Sequence, residues 1–177
     1  MHFLGLSVSL DDGTVYDKLQ RDLYSGFKIA IYCLLARYAN SQETVETGEL
    51  ISYGQLRGGR TFLRTFRATV VNPLARIFQS DYSLLGKATM ILEGEELAYG
   101  DYSVRLYSLP LVPITIILTG KTSELPASTS FLFDSSANNY LSTEELVILG
   151  DLTLERLRDA SRAVQNSKTE KRADFGA

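Results

Sequence analysis

Residues 109–149 read LPLVPITIILTGKTSELPASTSFLFDSSANNYLSTEELVIL. Val112, Ile114, Ile116 and Leu118 alternate with Pro113, Thr115, Ile117 and Thr119, so one face is wholly apolar and the other mixed. A period of two built from β-branched residues predicts a strand. Pro110 and Pro113 lack an N–H donor and belong at the strand's entry or at an unpaired position. Phe131 and Phe133 alternate with Ser130 and Leu132 and predict a second strand beside the first. Asp134 to Asn139 then forms a sharp polar corner, because Asp, Ser and Asn side chains bond back to nearby backbone. Ser142, Thr143, Glu144 and Glu145 make a capping box that starts a helix, with Leu141 and Leu146 at the flanking staple positions.

Upstream, 3–10 alternates as a strand, Asp11-Asp12-Gly13 reads as a hairpin turn, and 14–16 returns. Apolar residues at Leu23, Phe27, Ala30, Ile31, Leu34, Leu35 and Tyr38 have the spacing of one buried helical face. Cys33 lies near that stripe and reads as a small buried thiol. A polar linker at 40–47 leads to a short strand at 48–53. A short helix follows from about 61 to 68, and a second starts with Asn72 as N-cap and Pro73 in the first turn. Residues 80–86 read as a loop, 88–92 as a strand, 93–96 as a solvated acidic turn, and 102–106 as a strand. The last helix runs from 143 to about 164, with Leu146, Leu149, Leu157, Ala160 and Val164 inward. Glu155, Arg156, Arg158, Asp159 and Arg162 mark its outer face. Gly150 costs roughly 1 kcal/mol against Ala in a helix, which points to a close packing contact there.

These elements give an α+β fold: a mostly antiparallel sheet with helices packed on one face and a long C-terminal helix. Residues 1–165 read as a single globular domain and 166–177 as a polar, flexible tail. A chain of 177 residues needs no metal or disulfide staple to bury a core. Its net charge of −3 argues against bulk nucleic-acid or anionic-membrane binding. One cysteine excludes an intrachain disulfide and fits a cytoplasmic setting. No apolar run is long enough to span a membrane, and the first residues lack the features of a signal peptide.

Several stretches carry a family resemblance: 132–152 (LFDSSANNYLSTEELVILGDL), 99–113 (YGDYSVRLYSLPLVP), 124–128 (ELPAS), 48–68 (GELISYGQLRGGRTFLRTFRA) and 72–78 (NPLARIF). Together they resemble a prokaryotic family of uncharacterised proteins, domain of unknown function 3786, over roughly residues 3–157. Some relatives resemble fusions to the four-cysteine iron–sulfur module of corrinoid proteins of anaerobic metabolism. The resemblance therefore implies a corrinoid or iron–sulfur protein partner. This chain lacks that cysteine module, and Thr119 to Glu124 replaces the acidic turn of the family pattern.

Chemistry is sparse. His2 is the only histidine, which disfavours a catalytic triad or a histidine metal centre. No cofactor motif is present. The best anion-site candidate is Arg57-Gly58-Gly59-Arg60, where glycines admit close backbone approach and a helix start offers N–H groups. Its glycine spacing matches neither a Walker loop nor a dinucleotide fingerprint. Asp134 reads first as a turn residue satisfying backbone donors; Asp101 is its candidate carboxylate partner. Tyr140 and Tyr53 are candidate polar handles in a pocket. Three readings follow: a non-catalytic binding or accessory module, an enzyme acting on a small anion through Arg57, Arg60 and Asp134, or a structural homo-oligomer built on an uncovered apolar sheet face.

Overall fold

The computed structural model describes residues 2–9, 11–19, 23–124 and 126–174. The alternating stretch forms the centre of a five-stranded antiparallel sheet. In chain order its strands are β4 (Leu50–Ser52), β5 (Glu95–Leu97), β6 (Tyr102–Leu109), β7 (Val112–Thr119) and β8 (Ser128–Asp134). The spatial order is β4-β8-β7-β6-β5, so the two predicted strands are neighbours and β7 is central. Pro113 sits opposite Tyr107 beside a bulge in β6, and the pairing with β8 starts one residue later at Ile114. The missing N–H thus falls where no ladder needs it.

Val104, Leu106, Ile114, Ile116, Phe131 and Phe133 share one face and are buried. Helices α2 (Gly59–Phe66), α3 (Asn72–Phe78) and α4 (Tyr82–Ile91) cover it. Phe66 anchors α2 there, its ring 5.4 Å from Phe131 and 5.9 Å from Phe133. The opposite face is mixed, with Arg105, Thr115 and Leu132 in one row and Tyr107 exposed. Helix α6 (Thr143–Asp174) packs across the helical layer, and α1 (Ser25–Ala39) lies against it. A short helix, α5 (Ala137–Tyr140), turns the chain from β8 toward α6. The expected capping box is present: Ser142 N–H donates to Glu145 Oε2 at 2.7 Å, and Glu145 N–H donates to Ser142 Oγ at 3.2 Å. Gly150 packs as expected, since an added Cβ would lie 2.7 Å from Phe66 Cε2. Among the described residues no helix is long and apolar enough to cross a membrane.

Six local expectations are corrected. The 3–10 strand is broken by Leu4 and Gly5, both at positive φ, into β1 (His2–Phe3) and β2 (Leu6–Val8); with β3 (Val15–Asp17) they form a separate three-stranded sheet. Leu10 lies outside the described residues. Arg156 is not on an outer face: it is 0% exposed. It donates to Asp17 Oδ2 and Oδ1 at 2.9 and 2.6 Å and to the Leu4 carbonyl at 3.1 Å. The small sheet thus covers the side of α6 that its charge pattern assigns to water. Residues 88–92 are not a strand; Ala88 to Ile91 complete α4, whose cap is Asp81 accepting from Leu84 N–H at 3.1 Å. Asn72 is not an N-cap, because the backbone is already helical there and α2 runs through a wide π turn, Arg67–Val71, into α3. Cys33 is exposed, since the buried face of α1 is set by Phe27, Ile31 and Leu34. The last helix also continues beyond 164 to Asp174, and residues 175–177 of the expected tail lie outside the described residues.

Candidate functional site

The polar corner after β8 is closed chemically. Asp134 is 2% exposed. Its Oδ1 accepts from Thr47 N–H (3.1 Å), Thr47 Oγ1 (3.0 Å), Ser136 N–H (3.0 Å) and Ser136 Oγ (2.6 Å), and its Oδ2 from Gly48 N–H (2.7 Å). Burial alone would push this carboxyl up, but the hydrogen bonds from Ser136 and Thr47 outweigh it and bring it down to about 2. The side chain joins the 40–49 linker to the sheet. Asp101 accepts from Gly120 N–H at 2.6 Å. The strand register puts it at the opposite end of the sheet from Asp134, so the two carboxylates do not meet.

Tyr140 is similarly engaged. Its hydroxyl accepts from Thr44 N–H at 2.7 Å and donates to the Thr44 carbonyl, and its ring packs 5.3 Å from Tyr38. Tyr53 is buried, stacks on Phe66 at 4.2 Å and donates to the Thr143 carbonyl at 2.9 Å. Burial first, then the charge of Glu144, pushes its hydroxyl up to about 12.

The arginine–glycine segment wraps the start of α2. Arg57 N–H donates to Asn138 Oδ1 at 2.8 Å and its carbonyl accepts from Thr143 Oγ1 at 2.6 Å, leaving the side chain exposed. Gly58 has φ +86°, a left-handed conformation that favours glycine. A Cβ on Gly59 would collide with the Tyr53 carbonyl oxygen, so this glycine admits the chain's own backbone. Arg57 and Tyr140 line one cleft, Gly58, Gly59 and Arg60 line another, and Asp134 lines neither. The His2 side chain lies outside the described residues. Among the described residues no cluster of three or more His, Cys, Asp or Glu side chains is placed to hold a metal.

A further feature lies between α2 and β8. β4 pairs only with Leu132, Phe133 and Asp134, so Ser128 to Phe131 has no strand partner on that side among the described residues. The cause is local. Ser52 N–H and Oγ both donate to Gln55 Oε1, at 2.9 and 2.7 Å, and this cap turns the chain into a 3₁₀ turn at Tyr53–Gln55. The space left is a groove of about 420 Å³ whose walls include Phe131, Thr129, Phe66, Leu63, Arg67 and Asn72. The π turn presents Arg67 to it, and Asn72 follows at the start of α3. Beside that turn, burial pushes the Asp151 carboxyl of α6 up and the nearby Thr69 side chain partly offsets the rise. Single π turns of this kind recur at functional sites.

Leu63, Arg67 and Asn72 also wall an adjoining depression with Arg60 and Arg64. Arg60, Arg64 and Arg67 are spaced to share one face of the helix. The stretch from Leu50 to Ser80 holds five arginines and no Asp or Glu, in a chain of net charge −3. Arg57, Arg60, Arg64, Arg67 and Arg76 are all exposed, and none pairs with a carboxylate among the described residues. The sequence shows the arginines. The groove beside them depends on where β4 stops, and its signal is the S-x-x-Q pattern of Ser52 to Gln55, the same capping logic as Ser142 to Glu145.

A family model described as a domain of unknown function (DUF3786) matches residues 1–156. No curated protein and no solved structure matches the chain.

Proposed function

Because the chain belongs to the domain of unknown function family DUF3786, we propose a role drawn from its own geometry: it is a non-catalytic binding or accessory module. Its partner is a corrinoid or iron–sulfur protein of the kind the family resemblance implies, and nucleic acid is not its ligand. The observation that carries the binding role is the row of exposed arginines, none paired with a carboxylate among the described residues, beside the half-paired strand β8. Exposed arginine enriched beside aromatic and apolar groups is the chemistry of a protein interface. The polar groups that a catalytic reading would recruit, Asp134 and the Tyr140 hydroxyl, are already engaged in holding the 40–49 linker. An enzyme using Arg57, Arg60 and Asp134 draws less support, since the two arginines open into separate clefts and Asp134 into neither.

The test is co-elution of the full chain with a reconstituted corrinoid protein carrying a four-cysteine iron–sulfur module. The module reading expects a complex that salt weakens and that Arg64→Glu/Arg67→Glu loses. Stabilisation by phosphate or a nucleotide in a thermal-shift screen, without such a complex, would favour the enzyme reading. A stable dimer by light scattering would favour the homo-oligomer.

A further inference from the structure

The groove beside β8 has a backbone polarity that identifies what fits it. Ser135 N–H donates to the Glu49 carbonyl across the β4 side at 2.9 Å. In an antiparallel ladder the N–H and C=O of one residue point to the same side, and alternate residues point to opposite sides. Phe133, Phe131 and Thr129 therefore direct their backbone groups toward the β4 side, while Leu132, Ser130 and Ser128 bond to β7. Phe133 meets Ile51 of β4. Phe131 and Thr129 face the groove, because the chain has already turned away at Tyr53. No proline, lysine or bulge protects this edge, although such devices are common on exposed edges.

We propose that the groove binds an extended, acidic segment of a partner protein, which adds as a short strand to Thr129–Phe131 where β4 leaves off. Its carboxylates meet Arg60, Arg64 and Arg67. The backbone edge supplies a ladder independent of ligand sequence, and the arginines select its charge. This mode rests on reading the chain as a binding module and specifies how that module recognises its partner. A compact anion would use the arginines but leave the edge groups empty. A nucleic acid would meet the same arginines, but it has no peptide ladder to offer the edge.

The experiment is fluorescence anisotropy on the full chain with a labelled peptide of about eight residues, a common strand length, alternating glutamate and valine. Comparison probes are the lysine–valine peptide, a glutamate–valine peptide of equal charge N-methylated at every backbone nitrogen so that it has no N–H donors, and a single-stranded oligonucleotide of equal charge. The glutamate–valine peptide is expected to bind and the other three to bind at least about tenfold more weakly, the scale of losing one hydrogen bond to a charged group. Arg64→Glu/Arg67→Glu and Thr129→Pro should each weaken the peptide to a similar extent. Thr129→Val, which loses the hydroxyl bonded to Gln79 but keeps the N–H, should bind like wild type. Equal affinity for the glutamate–valine peptide and its N-methylated counterpart overturns the proposal without relying on any edge variant folding. So does an oligonucleotide that binds when the peptide does not. If the peptide fails while the corrinoid-type protein still co-elutes in an Arg64- and Arg67-dependent manner, strand addition falls and the module reading stands.

Discussion

The two halves of β8 differ in how their polar groups are used. Leu132 and Phe133 are flanked on both sides, and the strand ends on Asp134, paired with β4, whose carboxylate accepts five hydrogen bonds. From Ser128 to Phe131, among the described residues, it is flanked by β7 alone and opens into a groove rimmed with arginines that pair with no carboxylate. The first half holds the fold together; the second holds groups in reserve. Each half carries one buried phenylalanine, Phe131 or Phe133, so the core-facing pattern does not separate them. What separates them is the point at which β4 turns away.

If engaged groups carry stability and reserved groups do not, substitutions should divide the same way. The largest loss is expected at Arg156, the buried link between α6 and the small sheet. Arg156→Met strands Asp17, and removing one member of a buried pair costs about 3–5 kcal/mol; the double variant Arg156→Met/Asp17→Leu should regain most of it in urea unfolding. Asp134→Ala comes next, at about 2–3 kcal/mol, because it leaves the buried N–H of Ser136 and the part-buried N–H groups of Thr47 and Gly48 without this acceptor.

Acid should act through the same carboxylate. Its folded pKa, lowered to about 2, lies below the ordinary 3.8. Its contribution is therefore present above that ordinary value and is lost as pH falls through the folded one. The difference is about 2 kcal/mol, and chemical denaturation between about pH 4 and pH 2 should show it in wild type and not in Asp134→Ala.

Gly150→Ala gains helix propensity but drives a methyl against Phe66, a wall of the groove. A net loss of about 1–2 kcal/mol is expected, with overpacking outweighing propensity, read as a lowered Tm. The smallest effect belongs to the reserved half: Arg64→Glu/Arg67→Glu should leave stability within about 0.5 kcal/mol. A large loss there would mean that these side chains hold the fold.

Much of the fold is legible in the sequence because it is written in local patterns. Period-two alternation marks β7 and β8, the S-T-E-E box marks the start of α6, and Asp134 reads as a turn residue before its partners are visible. The missed features all depend on what packs from a distance. Arg156 reads as solvent-facing because the small sheet that covers it comes from residues 2–17. Cys33 reads as buried because its neighbours in sequence are apolar, yet it lies off the face defined by Phe27, Ile31 and Leu34. Ala88 to Ile91 read as a strand because a short apolar run has no period of its own; the Asp81 cap, seven residues before Ala88, decides for helix. Of the candidate site, the arginines are legible and the glycines are not, since Gly59 serves a contact with Tyr53 that only the 3₁₀ turn creates.

Residue-resolved amide hydrogen exchange along β8 tests most directly whether that strand has two unlike halves. Ser130 and Leu132, bonded to β7, and Phe133, bonded to β4, should exchange slowly, while Thr129 and Phe131 exchange fast until the acidic peptide is added. Equal protection of Phe131 and Phe133 in the isolated chain would contradict the account, because the groove would then have no free edge to offer.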